Sequence, residues 1–89
     1  MTNNMTEKFF KLMELMAKKP EIGAIVGQLW ANYNKDNNLF EQKYIRLEKC
    51  HCFETDIRWV FTELGYPNID CAPIENKHAI YVIINRDNL

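Results

Sequence analysis

Two cysteines and a histidine stand side by side in the chain and are the residues best suited to metal chemistry. Cys50, His51 and Cys52 are consecutive, and Cys71 and His78 follow further along. Together they offer enough soft ligands for a tetrahedral zinc site. Structural zinc usually takes ligand pairs two to four residues apart in tight knuckles, a spacing that these residues lack. We therefore rank Cys50, Cys52, Cys71 and His78 as weak metal candidates, and we expect ordinary cysteines and no cofactor.

The sequence contains none of the common enzymatic motifs. A cysteine nucleophile needs a lowered pKa and a third group that orients its base, and the sequence indicates neither. Gly-rich phosphate loops, nucleophile elbows and the His-Glu-x-x-His pattern are missing. The acidic side chains that might form a catalytic pair occupy positions typical of a solvated helix surface. The sequence therefore predicts a protein that is not an enzyme.

One aromatic residue lies on the polar face of a predicted helix and is the best candidate for a binding site. Trp59 points away from the apolar stripe of its own predicted helix, and Arg58, Thr62 and Glu63 lie beside it. Either the preceding helices or a loop cover this tryptophan, or it is an exposed anchor for a partner, since Trp and Arg dominate interface hot spots. Arg58, Trp59, Thr62 and Glu63 are therefore our candidate partner-binding residues, here named the Trp59 surface.

Basic residues suggest a second kind of surface, one that contacts nucleic acid. Arg46, Lys49, Arg58 and Lys77 could contact phosphates, with Tyr44 as a stacking surface. Acidic residues are interspersed among them, so a solvated face of mixed charge is the competing interpretation.

Length, composition and charge indicate the number of domains and the cellular location. Its 89 residues, 47% hydrophobic and 26% charged, predict a single small globular domain over residues 1–89. A net charge of -1 provides no global attraction to nucleic acid or to anionic membranes, and no apolar run is long enough to cross a bilayer. Three cysteines and an opening segment without signal-peptide features favour the cytoplasm. An Asn-rich, Lys-rich and Ile-rich composition is a hint of a phage-like origin.

Apolar periodicity places helices first and a β-hairpin last, which is an α+β fold. The pattern between Leu39 and Cys52 favours helix by composition, although Ile45 and Leu47 also alternate as in a strand. Gly65 and Pro67 end the last helix. The predicted helices span residues of about 5–18, 20–34, 39–52 and 55–64, and the predicted strands span about 69–74 and 79–84.

The last predicted strand is apolar on both faces, so both faces need a cover. A two-stranded sheet alone is marginal in water. The strands must therefore pack on the helices, find a third strand or pair with another copy. We expect a homodimer through the C-terminal strand, and we note that Gly23 and Gly27 would let a second backbone approach the second helix.

The order of elements resembles a winged helix-turn-helix over about half of the chain. Residues 39–52 correspond to the first helix of that motif, residues 55–64 to its recognition helix and residues 69–84 to its wing. Leu64-Gly65-Tyr66, followed by Ala79-Ile80-Tyr81-Val82, is a passage common in that class. The resemblance implies nucleic-acid binding, with Arg58 near a groove and Lys77 at the wing tip.

Two functions follow from these features. The first is a noncatalytic macromolecular-interaction module, a small phage-type regulator or inhibitor that binds a host protein. The alternative is a winged helix-turn-helix-like nucleic-acid-binding protein.

Overall fold

The computed structural model describes residues 4–48, 54–75 and 78–85. Within them the chain forms three α-helices and a three-stranded antiparallel sheet. The helices are α1 (Asn4–Leu15), α2 (Gly23–Lys35) and α3 (Glu54–Glu63), and the strands are β1 (Tyr44–Glu48), β2 (Ile69–Ile74) and β3 (Ala79–Ile84). The predicted α+β class and the C-terminal hairpin are confirmed. None of the helices in these ranges is long and apolar enough to cross a membrane.

The first two helices lie close to their predicted positions and meet at a proline. α1 ends at Leu15, three residues earlier than predicted, and tighter turns carry the chain to Lys19. Lys19 precedes Pro20 and has φ of -140°, as expected because proline disfavours helical geometry in the residue before it. Pro20–Ile22 then forms one 3-10 turn that leads directly into α2.

The predicted helix over residues 39–52 is wrong. Leu39–Glu41 is a short 3-10 turn, Tyr44–Glu48 is the strand β1, and residues 49–53 lie outside the described part. Burial alternates along β1, with Ile45 and Leu47 buried. The strand is stabilised by antiparallel pairing with β3, a contact with residues more than thirty positions away. Without a helix over 39–48, the first helix of the expected helix-turn-helix is missing from the described residues.

The sheet order is β1-β3-β2, so the last strand is the central one. β3 pairs with β1 on one edge and with β2 on the other. The predicted homodimer through the C-terminal strand therefore cannot form by strand pairing, because both edges of β3 are already hydrogen-bonded.

One face of the sheet packs against the helices and forms the core. Ile45, Leu47, Val82 and Ile69 lie on this inner face and are at most 2% exposed. The helices contribute the other buried side chains of the cluster, among them Phe9, Leu12, Ile25, Val26, Leu29, Ile57, Val60 and Phe61. Because neighbouring side chains of a strand point to opposite faces, the residues between the inner-face ones must point away from the helices.

Candidate functional site

The opposite face of the sheet carries a mixed aromatic and aliphatic surface. The strand register places its residues in rows across the three strands, the first being Tyr44, Ile83 and Asp70, and the second Arg46, Tyr81 and Ala72. A third row begins at Glu48 and ends at Ile74. We name this surface the outer face and define it by Tyr44, Arg46, Glu48, Asp70, Ala72, Ile74, Tyr81 and Ile83.

Four outer-face residues line a shallow, open depression of about 210 Å³, namely Tyr44, Ala72, Tyr81 and Ile83. The rings of Tyr44 and Tyr81 meet edge to face with centroids 5.0 Å apart. Tyr44 is 53% exposed, and none of the four side chains belongs to the hydrophobic core or packs against it. The depression is therefore an apolar surface that the described helices leave open to solvent.

Polar groups border this depression and bind one another. The Arg46 guanidinium forms an ion pair with Glu48 on the same strand. The hydrogen bond to Glu48, with a smaller contribution from Tyr81, raises the pKa of Arg46. On the other side, the Asn85 side-chain amide donates to the Asp70 carboxylate at 2.9 Å. These charges form a rim around an apolar centre, which is the usual layout of a protein interface.

The Trp59 surface is engaged within the chain. Trp59 is half-buried against the core, and the Lys19 ammonium lies 5.6 Å from the centre of its ring. Lys19 also forms an ion pair of 2.8 Å with Asp56, which is 6% exposed, and the hydrogen bond to Asp56 raises the pKa of Lys19. The loop after α1 therefore contributes to covering this tryptophan. This agrees with the alternative in which Trp59 is covered within its own chain and is not an exposed anchor for a partner.

The neighbours of Trp59 also have partners inside the chain. Arg58 donates from Nη1 to the carbonyl oxygen of Ile69 at 2.7 Å, and its Nε lies 3.7 Å from a Glu54 oxygen. The Thr62 hydroxyl donates to the carbonyl oxygen of Arg58, and Glu63 lies 3.7 Å from Lys11. The structure thus gives all four residues of the Trp59 surface intramolecular roles, and their part in partner binding stays a prediction.

The predicted nucleic-acid contacts are not brought together. Arg46 lies on β1 and Arg58 binds β2, so the two guanidinium groups belong to opposite edges of the sheet. Each of them is near a carboxylate, Glu48 for Arg46 and Glu54 for Arg58. Lys49 and Lys77 lie outside the described residues. Nucleic-acid binding stays a prediction, without a shared basic surface among the residues that the structure describes.

The metal candidates fall in different places. Cys50 and Cys52 lie outside the described residues, and within the described ranges no three potential ligands are grouped to hold a metal ion. Cys71 is on β2, and His78 is exposed in the turn between β2 and β3. Burial, together with the nearby Glu54 carboxylate, raises the pKa of Cys71 to about 11. A thiol in this state is a poor nucleophile and a poor metal ligand.

Cys71 should therefore react slowly with alkylating reagents. Its pKa of about 11 against an ordinary 9.0 lowers the thiolate fraction near pH 8 about a hundredfold. In a Cys50→Ser/Cys52→Ser variant, we expect iodoacetamide to label the folded chain about a hundredfold more slowly than the same chain in guanidinium. The Cys71 thiol binds its proton more weakly in the unfolded state, where its pKa is the ordinary 9.0. The free energy of unfolding should therefore decrease as the pH rises from 9 towards 11. Equal labelling rates in the two states would contradict the raised pKa.

The sequence indicated part of the outer face but did not locate it. The sequence predicts that the doubly apolar strand at residues 79–84 needs a cover on both faces. It places Tyr44 on a helix instead, on the face shared with Phe40 and Leu47 or as a stacking surface, because residues 39–52 are predicted as helical. The alternation of Tyr44, Ile45, Arg46 and Leu47 is the signal that indicates a strand here and places Tyr44 and Arg46 on the same face of it.

Comparison of the chain with protein-family models, curated proteins and solved structures finds no match. The function of the chain is therefore inferred from its own geometry.

Proposed function

We propose that this protein is a noncatalytic interaction module that binds another protein through the outer face of its sheet. The observation that carries this proposal is the open aromatic depression between Tyr44 and Tyr81, on a face that the described helices do not cover. Tyrosine offers a large contact area with few side-chain torsions to immobilise, and it is enriched in interface hot spots.

The chemistry of the face indicates what kind of protein surface would fit. The depression is lined by two aromatic rings, an isoleucine and an alanine, so it suits an apolar side chain that projects from the partner. Arg46, Glu48 and Asp70 at the border suit polar or charged groups around that side chain. A partner with a projecting apolar residue inside a polar ring is therefore the expected ligand.

The role of a regulator or inhibitor is part of the same proposal. A small domain that occupies a surface of a larger protein acts by blocking or altering what that surface does. Its effect depends on affinity, and losing one central aromatic side chain typically weakens binding by tenfold or more.

The test compares two aromatic substitutions in the full-length chain. We expect Tyr81→Ala to reduce capture of the native partner at least about tenfold, because Tyr81 lies at the centre of the outer face. Trp59→Ala is the matched control, since Trp59 lies on α3 with Lys19 beside it. The measurement is quantitative mass spectrometry after affinity capture from the native host, followed by a binding titration with the purified partner.

The reverse pattern would contradict the outer face as the binding site. A partner lost by Trp59→Ala and kept by Tyr81→Ala would instead support the Trp59 surface predicted from the sequence. If no protein is retained above the bait-free control, the interaction module itself is contradicted.

A further inference from the structure

The hydrogen bonds of the sheet determine which backbone groups of β1 point away from it. Ile84 donates its backbone N–H to the carbonyl oxygen of Lys43 at 3.0 Å, and the register extended by one residue beyond Tyr44 and Ile83 places these two residues opposite each other. In an antiparallel pair, hydrogen-bonded positions alternate with positions whose groups point outward. Ile45 and Leu47 therefore bind β3, whereas Tyr44, Arg46 and Glu48 direct their N–H and C=O groups out of the sheet.

The other edge of the sheet is largely closed. Asn85 donates to the carbonyl oxygen of Asn68 at 3.0 Å, so the outward positions of β2 are Ile69, Cys71 and Pro73. The Ile69 carbonyl already accepts a hydrogen bond from Arg58, as described above. Pro73 has no N–H to donate. A further strand would find few usable partners on β2.

The β1 edge is closed at one end by a glutamine side chain from α2. The Gln28 amide donates to the Glu48 carbonyl oxygen at 2.5 Å, and its oxygen accepts from the Glu48 N–H at 2.7 Å. Gln28 thus makes the two bonds that a residue of a neighbouring strand would make. The outward groups of Tyr44 and Arg46 have no such side-chain partner among the described residues, and both side chains are exposed.

We propose that β1 pairs with β1 of a second copy, antiparallel and centred on Ile45. In this register Tyr44 of each copy lies opposite Arg46 of the other, and the two pairs exchange four backbone hydrogen bonds. Each guanidinium then lies beside a tyrosine ring across the strands, a favourable cation–π arrangement. The surface is self-complementary, as a two-fold interface requires.

The neighbouring registers are less favourable. Centring the pair on Arg46 would place two like charges directly opposite each other. Centring it on Tyr44 would place Arg46 opposite Gln42, whose N–H already donates to the Leu39 carbonyl oxygen. The register centred on Ile45 avoids both problems. The ladder of hydrogen bonds between the two copies then stops before Glu48, whose backbone groups are bound to the Gln28 side chain.

Pairing of this kind goes beyond the proposed function and does not depend on it. It would join two three-stranded sheets into one of six strands, and the outer faces of both copies would form one continuous surface. The two depressions would then be available to a partner side by side.

Amide hydrogen exchange, combined with sedimentation from low to high micromolar concentration, tests the pairing. We expect the amides of Tyr44 and Arg46 to exchange roughly tenfold more slowly when the dimer is populated. Ile45 and Leu47 are internal controls, because β3 protects their amides in the monomer as well. A dimer that packs outer face against outer face would not produce this alternation.

Arg46→Pro is the discriminating variant. Proline removes an N–H that points out of the sheet, a position where edge strands tolerate it, so we expect a folded monomer. Arg46→Ala is the matched control, since it keeps the N–H and should keep a weaker dimer. A wild-type chain that is strictly monomeric at high micromolar concentration would overturn the proposal. A dimer without alternating protection of β1 would also overturn it, and this wild-type result decides even if the proline variant does not fold.

Discussion

Replacing Phe40 with alanine should lower the free energy of unfolding by about 3 to 5 kcal/mol. Phe40 is 3% exposed and lies in the 3-10 turn before β1. Its ring is stacked on that of Tyr66, with centroids 5.2 Å apart, and lies 6.1 to 6.2 Å from the rings of Phe9, Tyr33 and Phe61. The substitution would leave a cavity where residues from α1, α2 and α3 meet.

The control for this loss is the same substitution at an exposed phenylalanine. Phe10 is 53% exposed and contacts Trp30 with ring centroids 5.8 Å apart, so Phe10→Ala should change stability by less than about 1 kcal/mol. Urea unfolding followed by circular dichroism measures both values. Domains are commonly stable by only about 5 to 15 kcal/mol, so Phe40→Ala should remove a large part of the total and clearly lower the urea midpoint. Similar losses for the two variants would contradict the central position of Phe40.

The region of Phe40 also shows why one element was predicted wrongly. Phe40, Tyr44 and Leu47 share a helical face, while Ile45 and Leu47 alternate as in a strand, so a short window fits both periods. Pairing with β3 stabilises the strand over the helix, and Ile45 and Leu47 are buried in it. Tyr44 then becomes an outer-face residue instead of a core one. Long-range pairing of this kind leaves no local signal in the sequence.

Elements with strong local signals were predicted well. The stripe of Ile57, Val60, Phe61 and Leu64 predicted α3, and all four side chains are 0% exposed. The hairpin strands also occupy their predicted residues. Local periodicity is sufficient in these cases, since the element buries one face whatever it packs against.

The candidate sites were harder to predict for the same reason. The sequence shows that Trp59 lies off the apolar stripe of its helix, but it does not show which residues cover the ring. Lys19 lies forty positions earlier, in a loop whose position depends on the tertiary packing of α1. The outer face required the register of β1 against β3 and β2, which periodicity alone does not provide.

Replacing Gly65 with alanine should lower the free energy of unfolding by about 1 to 2 kcal/mol. Gly65 follows α3 and has φ of 99°, where a side chain is strained. Its N–H donates to the Thr62 carbonyl oxygen, and the Tyr66 N–H donates to that of Phe61 at 2.8 Å, which is the Schellman pattern at a helix end. An added methyl would also lie 2.9 Å from the Lys8 ammonium, which donates to the Leu64 carbonyl oxygen.

Gly27→Ala is the matched control, and its effect should have the opposite sign. Gly27 lies inside α2, and a Cβ added there would meet nothing within 4 Å among the described residues. Alanine in an exposed helix interior is favoured over glycine, so we expect stability to increase by about 0.5 to 1 kcal/mol. Chemical unfolding of both variants measures the difference. Both substitutions add the same methyl group to the chain, so a loss at one position and a gain at the other would identify the local environment of Gly65, its positive φ and the nearby Lys8 ammonium, as the cause. Losses of equal size would instead mean that the surface around Gly27 also requires glycine.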